Sequence, residues 1–129
     1  MTLDLASVSD VISIRQASRE TAVQLGFCEL EQTRLVTAVS EIAMLLYENG
    51  YTASLTIQEQ LTNTNEGITL AFHTISPDLP DFWSLVRKEP DTVEQNIAAN
   101  KLKRLVDEFE VTTDGQKGVS IVLTKWKNP

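Results

Sequence analysis

The chain has 129 residues, 42% hydrophobic and 22% charged, a size that favours one domain and buries roughly two-thirds of its unfolded surface without disulfides or a structural metal. One cysteine, Cys28, and one histidine, His73, exclude an intrachain disulfide, a Cys-rich zinc site and a two-histidine metal motif. Eleven basic against eighteen acidic side chains give a net charge of −7, the wrong sign for attraction to nucleic acid or anionic lipid.

Thr2-Leu3-Asp4-Leu5-Ala6 alternates as a short strand does, before a polar cluster at Ser7, Ser9 and Asp10. Ile14, Ala17, Ser18, Thr21, Ala22 and Leu25 recur at helical spacing, so a first helix is predicted over 13–25, with Gly26 free to take the positive φ of a helix end. Leu35, Ala38, Val39, Ile42, Leu46 and Asn49 share one face of a second helix, with Glu29 and Glu31 at its positive N-terminal end and Asn49-Gly50 closing it. Tyr51, Ala53, Leu55 and Ile57 alternate with polar residues, and the alternation resumes at Ile68, Leu70 and Phe72 after a polar stretch over 62–67, which reads as an antiparallel hairpin.

Three of the four prolines, Pro77, Pro80 and Pro90, fall in residues 75–95, as in a long surface connection. A third helix is predicted over 95–108, on a stripe of Ile97, Leu102, Leu105, Val106 and Phe109. Val111, a turn over 114–118 and a last strand with Val119, Ile121 and Leu123 on one face complete the chain. The predicted fold class is α+β, a two-layer sandwich with a mixed, mostly antiparallel sheet and three helices on one face.

Few residues suggest chemistry. The five glycines stand at element ends and form no phosphate cradle, and Gly115 and Gly118 suit a hairpin turn. His73 reads as a hydrogen-bonded histidine at a strand end, and Cys28, beside Glu29 and Glu31, as a buried and unreactive thiol. Glu41 stands at the edge of the second helix's apolar stripe, a solvated boundary residue unless a substrate pocket faces it. The stretch Asp81 to Lys88 sets Phe82 and Trp83 in a proline-bounded connection. Such residues either pack back on their own domain or form a partner-binding patch, here anchored by Trp83 with Arg87 at its rim.

Residues 1–64 carry 3 basic and 8 acidic side chains and residues 65–129 carry 8 and 10, so most of the negative excess is in the first half and a basic protein surface suits it as partner. No apolar run approaches the roughly 18–20 residues of a membrane span, and Met1 to Leu5 lacks the basic-then-apolar pattern of a leader. The expected location is the cytoplasm, with neither nucleic acid nor membrane as partner.

The run from Arg34 to Ala43, which ends Ser40-Glu41-Ile42-Ala43, resembles the helix of the switch-type serine kinases and anti-sigma factors of the GHKL ATPase superfamily. Residues 103–110, then Gly115, Lys117-Gly118 and Lys125-Trp126, look like the closing helix and hairpin of that family, and Gly26-Phe27 also fits. The resemblance extends from about Ile14 to Trp126 in the family's order. It implies a Bergerat-type ATP-binding fold, with Glu41 as the catalytic or water-positioning carboxylate.

The same resemblance exposes departures. The family's Mg²⁺-binding Asn, four residues after the Glu, is Leu45 here. In the next box the adenine-recognising Asp is Thr74 and the two glycines are Ser76 and Asp78, while Pro80-Asp81 keeps the family's Pro-Asp tail. The glycine run that wraps the triphosphate aligns with residues 94–99, where Asn96 and Ala98 leave no glycine. Side chains stand where backbone must approach phosphate, Asp78 and Glu94 repel anionic oxygens, and a metal ligand is missing. The expectation is a degenerate, pseudokinase-like domain over 1–129 without cofactor. It acts by binding a protein partner: a STAS-domain anti-anti-sigma-type protein or a sigma factor, with a homodimer as a further arrangement. The alternatives are an active serine/threonine kinase using ATP and Mg²⁺ through divergent boxes, and a small-molecule sensor using the remodelled pocket.

Overall fold

The computed structural model describes residues 1–48, 50–75, 104–113 and 118–127. The elements in chain order are β1 (Thr2–Leu5), α1 (Val8–Gln24), α2 (Glu29–Glu48), β2 (Ala53–Leu61), β3 (Glu66–Ile75), β4 (Glu108–Thr113) and β5 (Gly118–Trp126). The class is α+β, as the sequence predicts. The five strands form one sheet in the order β1-β2-β3-β5-β4. All four pairings are antiparallel, so the expectation of a mixed sheet is corrected among the described residues.

Helix α1 begins at Val8, five residues before the predicted start. Ser7 and Asp10 form a reciprocal capping box: the Asp10 amide donates to Ser7 Oγ at 3.3 Å and the Ser7 amide to Asp10 Oδ2 at 3.1 Å. The polar cluster is thus the first turn of the helix, because these side chains satisfy amides that the helix itself leaves open. At the other end Gly26 takes φ 84° as expected, and the Phe27 amide donates to the Ala22 carbonyl at 3.0 Å, which turns the buried Phe27 ring under the junction.

Strand alternation builds the core. Leu55 and Ile57 of β2, Ile68, Leu70 and Phe72 of β3, and Val119, Ile121 and Leu123 of β5 are buried in one cluster with Ile14 and Ala22 of α1 and Leu35, Val39, Ile42 and Leu46 of α2. Register places Leu55 opposite Phe72, and Phe72 opposite Ile121. The other sheet face carries small and polar residues, including Ser54, Thr56, Ala71, His73 and Ser120, half-buried or exposed.

The predicted third helix lies outside the described residues up to 103. Its predicted end is corrected: Arg104 and Leu105 are helical, but Glu108 already begins β4. Phe109 and Val111 pair with Leu123 and Ile121 of β5, so Phe109 belongs to the sheet and not to a helical stripe. Two helices, α1 and α2, lie wholly among the described residues.

Candidate functional site

The residues singled out by the family resemblance divide between α2 and the end of β3. Glu41 and Leu45 lie one turn apart on α2. Glu41 is exposed, whereas Leu45 is half-buried and packs against the core. The chain leaves α2 through Gly50, at φ 80°, and the Tyr51 amide donates to the Leu46 carbonyl at 2.9 Å.

Thr74 closes this end of the sheet. It stands opposite Ala53 in β2, is 2% exposed, and donates its hydroxyl to the Thr52 carbonyl at 2.5 Å. The last turn of α2, the 50–52 link and the end of β3 therefore meet in one place. A leucine side chain has no lone pair to offer a divalent cation, which takes oxygen ligands. The Thr74 proton is directed to a backbone carbonyl inside the fold. At these two positions the residues present do not fit Mg²⁺ or an adenine-binding carboxylate. The other box positions, Ser76, Asp78, Asn96 and Ala98, and the patch residues Phe82, Trp83 and Arg87 lie outside the described residues.

His73 is exposed on the open sheet face with Nδ1 3.1 Å from the hydroxyl of Ser120, its direct cross-strand neighbour, in keeping with a hydrogen-bonded strand histidine. Cys28 is exposed, which corrects the expected buried thiol. It follows the inward-turned Phe27 and its carbonyl accepts from the Gln32 amide at 2.9 Å, so the backbone here serves the start of α2 while the neighbouring ring fills the core.

The sequence reading missed a buried ion pair. Glu31 Oε2 and Lys125 Nζ lie 3.9 Å apart, and both residues are 5% exposed. The signal was in the periodicity: Lys125 continues the inward series Val119, Ile121, Leu123, and Glu31 lies one turn before Leu35 on the buried face of α2. A second missed contact sets the Trp126 ring against Gly67, where an added Cβ would come within 2.6 Å of Cε3. The indole Nε1 donates to Glu108 Oε2 at 2.8 Å and the Trp126 amide to Asp107 Oδ2 at 2.6 Å, tying the start of β4 to the end of β5.

With this geometry, comparison with known proteins gives two results. No family model matches the chain. Over 119 residues it is 28% identical to the serine/threonine-protein kinase RsbT of Bacillus subtilis (strain 168), an alignment that spans 91% of this chain and 89% of that protein. The likeness covers nearly the whole length of both and agrees with the serine-kinase resemblance seen in residues 34–43. No helix among the described residues is long and apolar enough to cross a membrane.

Proposed function

We propose that this chain is a member of the switch-type anti-sigma serine kinase branch of the GHKL superfamily that signals by binding a protein instead of transferring phosphate. Its setting is a bacterial partner-switching pathway in the cytoplasm. The observation that carries this reading is Leu45, an aliphatic side chain packed on the core one turn after Glu41, where the family resemblance calls for a metal-binding Asn. Thr74, buried near the end of β3 and hydrogen-bonded to Thr52, supports it. Phosphoryl transfer depends on a held metal and a cradled phosphate chain, and a chain that holds neither acts through binding alone. In this reading Glu41 is a remnant and the chain takes no cofactor. The partner is a STAS-domain anti-anti-sigma-type protein or a sigma factor, met through Phe82, Trp83 and Arg87.

Calorimetric titration with ATP and Mg²⁺ at millimolar concentration tests this reading. The expected result is no saturable heat; saturable binding overturns it and returns Glu41 to candidacy as a base. The similarity to a protein named as a kinase favours a second reading, an active serine/threonine kinase with divergent nucleotide contacts. Transfer of the γ-phosphate to a STAS-domain serine, lost in Glu41→Gln, is the outcome that reading requires.

A further inference from the structure

Strand β4 is an edge of the sheet, paired among the described residues with β5 alone. The ladder decides which of its backbone groups stay open. In an antiparallel pair, successive residues of a strand turn their N–H and C=O alternately toward one side and the other. The Thr124 carbonyl accepts from the Asp107 amide at 3.0 Å, so Thr124 faces β4, and Val122 and Ser120 face it by the same alternation. Their partners Glu108, Glu110 and Thr112 are therefore bonded to β5, which leaves Phe109 and Val111 with N–H and C=O directed away from the sheet. The side chains sort in the same way. Phe109 and Val111 are half-buried and pack against the core, whereas Glu108 and Glu110 are exposed on the opposite face. The Trp126 indole donates to the Glu108 carboxylate at 2.8 Å and fixes it there, and no residue of β4 is basic.

We infer that β4 is a docking edge for an extended basic segment of a partner protein, which adds a strand to the sheet beyond β4. The segment's backbone bonds to the open groups of Phe109 and Val111, and its aliphatic residues continue the apolar face past those two side chains. Its alternate residues, lysine or arginine, stand opposite Glu108 and Glu110. Charge selects the occupant, because opposite charges directly across two strands attract and like charges repel. A second copy is the wrong occupant: the antiparallel pairing that sets Phe109 of each copy opposite Val111 of the other also sets Glu110 opposite Glu110. Charged residues on an edge keep unsuited strands away, and two carboxylates leave the edge open to a basic one. The opposite edge, β1, has four residues against six in β4 and offers a shorter template. The inference uses no residue of the nucleotide boxes, so it goes beyond the function proposed above and is decided separately from the ATP titration.

The test is an NMR titration of the ¹⁵N-labelled protein, with amide hydrogen exchange, against a synthetic peptide of about eight residues in which valine and lysine alternate. A matched peptide has glutamate in place of lysine. In the free protein at low concentration the amides of Phe109 and Val111 are expected to exchange fast and those of Glu108 and Glu110 slowly. The basic peptide is expected to shift the resonances of β4 saturably, at least about tenfold more tightly than the acidic one, and to slow exchange at Phe109 and Val111. Methylating one alternate set of the peptide's backbone nitrogens is expected to abolish binding, and methylating the other set to spare it, since one edge of the added strand meets β4. Glu110→Lys, at an exposed position, is expected to weaken the basic peptide and strengthen the acidic one. The proposal is overturned if neither peptide binds, if both bind equally, if the shifts fall elsewhere, or if the two methylated sets behave alike. Slow exchange at Phe109 and Val111 in the free protein overturns it too: at all concentrations this chain covers its own edge, and at high concentration alone a second copy does.

Discussion

Glu31 and Lys125 place two opposite charges in the core, 3.9 Å apart and each 5% exposed, where α2 starts and β5 ends. Desolvation of two ions offsets most of their attraction, so such a pair adds little net stability while making each charge depend on the other. Lys125→Met removes the ammonium 3.9 Å from Glu31 and is expected to lower stability by ~3 kcal/mol in urea denaturation. The double variant Glu31→Met, Lys125→Met is expected to recover most of that loss. A double variant as unstable as the single one would show that the pair itself holds α2 on the sheet. The energetics of this pair lie outside the reach of a sequence reading: alternation places Lys125 inward, but only the folded chain brings it to a residue 94 positions earlier.

Elements were legible where one local pattern was unopposed. The β2–β3 hairpin follows from alternation alone, since Leu55, Ile57, Ile68, Leu70 and Phe72 are its buried hydrophobic residues. The start of α1 was obscured because Ser and Asp serve turns and helix caps alike, and the reciprocal bonds of Ser7 and Asp10 decide for the helix. Ser7→Ala removes one arm of that box and is expected to cost ~1 kcal/mol, read as a lower thermal midpoint and faster amide exchange in the first turn of α1. Unchanged exchange there would mean that the Asp10 carboxylate, which also accepts from the Ala6 amide at 2.9 Å, holds the turn by itself. Phe109 misled for another reason. With Leu105 and Val106 it fits a helical stripe, with Val111 it fits a strand, and pairing with Leu123 across β4 and β5 settles the matter through a contact that sequence spacing does not contain.

At the scale of the whole molecule, two described positions depart from what the serine-kinase resemblance calls for: Leu45 near the end of α2 and Thr74 near the end of β3. Glu41 and its helix stand where the resemblance in residues 34–43 places them, and the 28% identity to a serine/threonine-protein kinase over 91% of the chain agrees with that resemblance. The partner of Thr74 was not legible in the sequence, because its hydroxyl finds the Thr52 carbonyl across 22 residues. If Leu45 were the one missing part, restoring oxygen there would restore the site. Leu45→Asn is expected to do the opposite. It exchanges a half-buried aliphatic group in contact with the core for an amide, at a cost of ~1–2 kcal/mol. It leaves Thr74 and the other substituted box positions unchanged, so on the proposed non-catalytic reading ATP and Mg²⁺ still gain no seat. A ligand at a hundredfold excess over its Kd raises stability by about 2.7 kcal/mol, more than the substitution removes, so thermal denaturation with and without millimolar Mg-ATP separates the cases. A midpoint lowered equally in both conditions agrees with loss of the site at several independent positions. A midpoint rescued by nucleotide would place the whole loss in Leu45 and make this chain one substitution away from binding ATP.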